Sequence, residues 1–425
     1  MLTLLYVFNK ADSIVLAPLV QPIKHELGIG DFQMGLLLGP AFAIFYGLCG
    51  LPMGWIVDHR PLRRVVYWGV TVWSIATAAC GLVTGFVGLA LARMMVGAGE
   101  ATLSPSSYKL ISQLFPRNKI ALPLSMYAAG SSIGLGFALY LGGLAARLSS
   151  EGSGLALPGL GFLSAWKILF LALGLPGLLL ALLAFRLPVP VGGEPTQAGD
   201  VASKARGSVF AFMLREWRVM LPIFGCFCAI GTGSIALLQW MPTYMLRTYH
   251  LDQGTIGLGL GAMLFAAGLT GHLISGMVVD AIHTRGLPNG GLIFGTVATV
   301  IGMPCGILAL LGGSLWIYWP LMTVTYTLFI PFSGYAAAAV QLATPVEMRG
   351  RMSAVFLLLA SATGQLIGPT AVGFFTQYVF RDEAMIGASM AAVCAVVLAV
   401  VLASTMPVLF GRRRATRAPA AAPSL

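Results

Sequence analysis

The chain has 425 residues, of which 58% are hydrophobic and only 9% charged, and its formal net charge is +11. With a mean hydropathy of +0.88, it has far more apolar surface than a soluble fold of this length buries, so lipid must solvate most of it. The excess of cations is spread over short turns instead of one folded domain, which argues against a nucleic-acid partner and assigns the charge to membrane topology.

A helix that crosses a hydrocarbon core of roughly 30 Å needs about 20 mostly apolar residues. Twelve such runs follow one another: 2–22, 33–57, 64–85, 87–114, 120–147, 164–185, 219–247, 254–280, 289–312, 315–341, 350–378 and 384–410. They are continuously apolar and rich in Gly, Ala and Leu, without the alternation of membrane strands. The expected fold class is therefore all-α integral membrane, with twelve transmembrane helices. The first run has no basic leader and carries Lys10 and Asp12, so it reads as a retained helix and not as a signal peptide.

The longest polar stretch, 187–218, holds Pro188, Pro190, Gly192, Gly193 and Pro195 and reads as a linker. The expected organisation is a six-helix bundle over 1–186, this linker, a second bundle over 219–411 and a tail over 412–425. The halves echo one another. Gly35, Gly54, Asp58 and Arg63 return 222 positions later as Gly257, Gly276, Asp280 and Arg285, and such self-similarity marks a duplicated unit.

With both termini in the cytoplasm, Arg60, Arg63, Arg64, Arg117, Lys119, Arg186, the linker cations, Arg285, Arg349, Arg351, Arg412 to Arg414 and Arg417 fall inside. Only Lys24, Arg147, Lys167, Arg247 and Arg381 fall outside. The positive-inside rule sets that orientation, and short loops with abundant Gly, Ala and Arg suggest a multi-pass protein of a bacterial inner membrane.

The segment Gly54-Trp55-Ile56-Val57-Asp58-His59-Arg60-Pro61-Leu62-Arg63-Arg64 resembles the helix 2–3 signature of the major facilitator superfamily, with one residue inserted. More narrowly, Phe8 to Asp12, Gln21 to Gly28, Gly97 to Ala101 and Ser104-Pro105 resemble the Spinster-type branch, whose eukaryotic members move lysolipids and sphingosine-1-phosphate. Trp240-x-Pro242-x-Tyr244 and Pro345-x-x-x-Arg349-Gly350-Arg351 agree more loosely. The resemblance implies two six-helix bundles rocking about a site near the bilayer midplane, with helices 1, 4, 7 and 10 lining the cavity. One departure stands out: the branch usually carries Arg after the helix 1 aspartate, where this chain has Ser13. Lys10 is the nearest replacement, but it lies about 200° from Asp12 around the helix.

Ionisable groups at membrane depth are costly, so each is a functional candidate. Asp12 and Glu100 are the expected proton-coupling pair. Asn9 and Ser13 share the Asp12 face of helix 1, and Arg93, on the same face of helix 4 as Glu100 but roughly 10 Å along it, is expected to read an anionic group. Tyr127, Gln239, Tyr244, Tyr335 and Gln365 are further candidates to contact substrate. Gly54, Asp58, Arg60, Arg63, Arg64, Asp280 and Arg285 form the expected conformational gate, whose aspartates would bind arginines in one state only.

The six cysteines lie in hydrophobic runs, and neither they nor the five histidines have metal or redox spacing. No nucleotide-binding loop occurs, so no metal or cofactor is expected. The function expected is a secondary transporter, acting as a monomer in the lipid bilayer and coupled to protons. Its substrate is a small amphipathic or anionic molecule, with a lysolipid favoured and sugar-acid symport or multidrug efflux as alternatives. A channel would need rings of like residues, and an enzyme would need a nucleophile with a base or a metal cluster. Neither is present.

Overall fold

The computed structural model describes residues 1–114, 121–157, 161–187, 209–285, 290–345 and 348–415. Helix α1 covers Leu2–Leu27 in two α-helical stretches, Leu2–Ile14 and Val20–Leu27, joined through a 3-10 turn at Ala17–Leu19. Pro18 brings no N–H to the hydrogen-bond ladder, which is why the helix breaks there. The same device recurs. Helix α2 comprises Asp31–Leu38 and Pro40–His59, with Gly39 between them outside helical geometry. Helix α4 comprises Phe86–Glu100 and Leu103–Leu114, broken four residues ahead of Pro105. Helix α3, Leu62–Cys80, is unbroken.

Helix α5 spans Ala121–Ser150 and α6 spans Ala165–Leu183. Between them β1, Gly154–Leu157, pairs antiparallel with β2, Gly161–Ser164, setting Leu155 opposite Leu163. This hairpin departs from the purely helical expectation. It is moored to the end of α1, where Glu26 accepts hydrogen bonds from Ser164 Oγ at 2.7 Å and Trp166 Nε1 at 2.6 Å and pairs with Lys167 at 2.5 Å.

In the second half a short helix, Val209–Arg215, precedes α7 (Trp217–Tyr249), α8 (Gln253–Thr284) and α9 (Gly290–Leu311). Helix α10 comprises Leu315–Phe329 and Phe332–Leu342, parted at Pro331. Helix α11, Arg349–Phe374, ends in a π turn at Phe375–Phe380, and α12 runs over Ile386–Ala415. Asp252 caps α8, and the hydroxyl of Thr255 and two backbone N–H groups hold its carboxylate below the ordinary range.

Among the described residues, eleven helices are long and apolar enough to cross a membrane. Helix α3 completes the series of twelve. Its opening Arg63 and Arg64 and its Tyr67, Trp68 and Trp73 make it less apolar than the rest. Most of the linker, 188–208, and the end of the tail, 416–425, lie outside the described residues.

The packing resolves into two compact units. The first contains Met1–Ala198 with Ile235–Phe265 and Gln365–Met390. Within it α3 packs on α4 and α6, α1 on α5, and α2 on α4. Its core includes Leu5, Val66, Val70, Trp73, Leu103 and Leu110. The second unit contains Gly199–Ser234, Ala266–Gly364 and Ala391–Leu425. There α9 packs on α10, and Phe227 meets both Tyr335 and Phe356 edge-on or tilted.

Glycine closes two seams in the first unit. A Cβ on Gly35 of α2 would lie 2.7 Å from the Pro369 carbonyl of α11, and one on Gly257 of α8 would lie 2.9 Å from the Leu139 carbonyl of α5. Both distances are shorter than any real Cβ contact, so only glycine allows the helices to touch. These two residues are the repeat pair 222 positions apart, so equivalent positions do equivalent work. Gly35→Val and Gly257→Val are each expected to cost roughly 1–3 kcal/mol through overpacking, measured as a lower melting temperature in detergent. Unchanged melting of both variants would mean the seams are not tight.

Candidate functional site

The α-helical ladder of α1 stops just past Asp12, and that of the first part of α4 stops at Glu100. Both acidic residues therefore sit on a final helical turn, where carbonyls and side chains are left for other partners. Asp12 is 2% exposed, Arg93 1% and Glu100 1%. Charges this deeply buried persist only when they are partnered or neutralised.

Arg93 supplies much of that partnership. Its Nη1 donates to the Asp12 carbonyl at 2.9 Å and its Nη2 to the Ser13 carbonyl at 3.3 Å, so it closes the open end of the α1 ladder. Its guanidinium also lies 5.2 Å from the centre of the Phe42 ring, a favourable cation–π distance. Thr77 of α3 donates to Asp12 Oδ2 at 3.2 Å. The Ser13 hydroxyl lies 2.8 Å from the Asn9 carbonyl and 3.2 Å from Glu100 Oε2, and its single proton can serve either acceptor.

Three polar atoms in this cluster have no hydrogen-bond partner among the described residues: Asp12 Oδ1, Glu100 Oε1 and Arg93 Nε. Each carboxyl thus keeps one oxygen that can take up a proton without breaking a bond. Lys10 lies 5.4 Å over the Tyr6 ring and within electrostatic range of Glu100.

Asn9, Asp12, Ser13, Arg93 and Glu100 are therefore brought together, along with Thr77. Tyr127 joins an aromatic cluster beside them, stacked on Tyr6 at 4.4 Å and edge-on to Tyr108 at 5.7 Å. The other candidates lie elsewhere. Gln239 is buried with its Oε1 unpartnered, and Gln365 is half-buried on α11. Tyr244 contacts Tyr249 near the end of α7. Tyr335 is in the second unit, donating to the Leu328 carbonyl at 3.1 Å and packed on Phe294.

Of the expected gate, Arg60, Arg63, Arg64 and Arg285 are exposed, and Arg63 Nε donates to the Leu187 carbonyl at 2.8 Å. The side chains of Asp58 and Asp280 and the surroundings of Gly54 lie outside the described residues. Lys109, on the second part of α4, donates to the Val57 carbonyl near the end of α2 at 2.7 Å.

A second charged cluster, at the opposite end of the first unit from the α2–α3 turn, is one the sequence reading did not single out. Asp31, at the start of α2, accepts from Lys24 Nζ at 2.6 Å and from both terminal nitrogens of Arg247 at 2.7 and 2.8 Å. Glu383 pairs with Lys24 at 2.5 Å and with Arg247 at 2.8 Å. The four side chains tie the ends of α1, α2 and α7 to the turn before α12. Two of the few cations on the cation-poor side are in this cluster, and that scarcity is the signal that could have found it.

The family model described as Major Facilitator Superfamily matches residues 2–369. An MFS-type efflux pump of Mycolicibacterium smegmatis is 26% identical over 381 residues, 90% of this chain and 84% of that protein. A D-galactonate transporter of Escherichia coli O6:H1 is 25% identical over 386 residues, 84% of this chain and 83% of the other. Among solved structures, the fold matches that of a bacterial homologue of the human lysosomal transporter Spinster in an inward-facing, unoccupied conformation. There the TM-score is 0.74 and the identity 23%, over 96% of this chain and 93% of that one.

Proposed function

Because the chain belongs to the Major Facilitator Superfamily, we propose that this multi-pass membrane transporter is a proton-coupled secondary transporter working by alternating access. Its halves, 1–186 and 219–411, rock about a central site, with both termini in the cytoplasm of a bacterial inner membrane. Asp12 and Glu100 exchange the protons. The substrate is a small amphipathic or anionic molecule, and a lysolipid-like one is favoured.

The observation that carries this reading is the pair of buried carboxyls, each with one unpartnered oxygen, Asp12 bonded through its other oxygen to Thr77 and Glu100 through its other oxygen to Ser13. A purely structural carboxylate at this depth would have both oxygens satisfied. Ser13 can release Glu100 for Asn9, so protonation of Glu100 has a local structural consequence at the break in α1. Substrate contact near Arg93 can favour or oppose that change, which is the differential interaction that coupling requires. The cluster of Lys24, Asp31, Arg247 and Glu383 serves in this reading as the extracellular gate.

A specific observation favours sugar acids as the second substrate class: the relative that transports D-galactonate is aligned over 84% of this chain. The experiment reconstitutes the protein in liposomes holding a pH-sensitive dye, then adds lysophospholipids or sugar acids to wild type, Asp12→Asn and Glu100→Gln. Substrate-driven proton flux in wild type, reduced to background in both variants, is the expected result. Flux that persists in both variants would overturn the assignment of these carboxyls.

A further inference from the structure

A groove of about 420 Å³ opens on the flank of the first unit where α2 passes into α3. Buried Gly69, Gly99 and Thr102 form its floor, while Met53, Ile56, Trp68 and Val72 are among its apolar walls. The small floor residues let α3 and α4 approach closely, so the groove is a recess between packed helices and not a gap in the core. Trp68 is 61% exposed, and Ile75, on the same face of α3, is 55% exposed. In a membrane-spanning helix such a face meets acyl chains.

Arg60 and Arg64 stand exposed at the mouth of this groove, one at the end of α2 and the other in the first turn of α3. Neither has a carboxylate partner among the described residues. Arg63, between them, is turned away and engaged with the Leu187 carbonyl. Among the described residues that line the groove no carboxylate is present to receive an ammonium group. From Arg64 to Ile75 the helix rises roughly 16 Å at 1.5 Å per residue, about half of the roughly 30 Å hydrocarbon core. Charge at the mouth, an exposed tryptophan just below it and an apolar recess continued by the exposed face of α3 to about one-leaflet depth match a phospholipid that carries net negative charge.

We propose that this groove binds an anionic phospholipid of the surrounding leaflet, its phosphate held by Arg60 and Arg64 and an acyl chain lying over Trp68, Val72 and Ile75. Guanidinium groups suit phosphate because each presents paired N–H donors. A free phosphate would gain only the arginines, whereas the lipid also fills the apolar recess. The bound lipid would brace the turn between α2 and α3, on which the expected gate residues sit, whatever substrate the transporter moves.

The test uses the full chain, delipidated in detergent, with lipid binding measured by native mass spectrometry. The probes are dioleoyl-phosphatidylglycerol and dioleoyl-phosphatidylcholine. Wild type is expected to prefer phosphatidylglycerol. A charge near the membrane surface contributes roughly fivefold in affinity, so Arg60→Gln combined with Arg64→Gln should weaken phosphatidylglycerol roughly thirtyfold. The pair would then bind the two lipids alike.

Val72→Trp, which fills the recess but keeps both arginines, is expected to weaken phosphatidylglycerol too. Arg215→Gln, an exposed arginine of the short helix Val209–Arg215, should leave binding unchanged. Equal affinity of wild type for the two lipids, or undiminished phosphatidylglycerol binding in the double variant, overturns the proposal. If the double variant does not fold, Val72→Trp and competition by glycerol 1-phosphate decide. Retained binding in Val72→Trp, or displacement of the lipid by glycerol 1-phosphate at equal concentration, identifies a soluble-anion site and also overturns it.

Discussion

Asp31→Asn is expected to destabilise the protein by roughly 3–5 kcal/mol, the cost of removing one partner from a buried ion pair. Asp31 is the buried anion between two buried cations: the side chains of Asp31, Lys24 and Arg247 are 2%, 7% and 9% exposed. Without it, both cations depend on Glu383, whose side chain is 61% exposed and solvated in any case. The same reasoning makes Glu383→Gln mild, within about 1 kcal/mol, since a solvated partner contributes little. Thermal melting in detergent measures both effects. If the cluster is a gate, a cysteine at Thr370, beside Gly35, should react faster with a membrane-impermeant maleimide in Asp31→Asn than in the parent. Equal melting of Asp31→Asn and Glu383→Gln, or unchanged labelling, would remove the cluster from the gating account.

The second large effect concerns Arg93, where Lys and Leu separate charge from geometry. Arg93 spans two carbonyls with two nitrogens, and an ammonium on a shorter reach serves at most one of them. Arg93→Lys therefore loses about one charge-assisted hydrogen bond, worth roughly 1.5–3 kcal/mol. Arg93→Leu loses both bonds and the cation beside Asp12, leaves two buried carbonyls unpaired, and should be at least twice as damaging. If Arg93 acts only by bracing the break in α1, substrate uptake by folded Arg93→Lys should be close to normal. If it also reads an anionic group, uptake should fall while melting falls only modestly. Melting of Arg93→Leu equal to that of wild type would contradict the bracing role.

The helices were legible because a hydrocarbon solvent imposes a length and composition that few other structures satisfy. Helix α3 was expected over 64–85 on the same ground, although aromatic residues and two arginines dilute its apolar run. The hairpin between α5 and α6 escaped because Gly154–Leu157 and Gly161–Ser164 are short, Gly- and Leu-rich and lack the alternation that signals a strand. The breaks in α1, α2, α4 and α10 each lie at or near a proline, but Pro52, Pro176, Pro304 and Pro369 sit inside continuous helix, so a proline alone does not mark a break.

Asp12, Arg93 and Glu100 were legible for one physical reason: a charge in an apolar run must have a purpose or a partner. Thr77 was not, since threonines in such helices commonly bond their own ladder, as Thr71 and Thr299 do here. The cluster of Lys24, Asp31, Arg247 and Glu383 was unreadable for another reason. Lys24 and Glu383 are 359 positions apart and Asp31 and Arg247 are 216 apart, and the topology count had already given both cations a role. Tyr335 and Tyr127 looked alike as polar aromatics, yet they belong to different packed units, a distinction that composition does not carry.

The paired glycine seams have a thermodynamic corollary. Gly35 and Gly257 hold α2 against α11 and α8 against α5 within one unit, so neither seam can part far while the other stays shut. A double-mutant cycle on Gly35→Val and Gly257→Val should therefore show sub-additive losses, because the first bulky side chain already does most of the work of separation for the second. Duplication would then have left this end of the bundle with a single latch written twice.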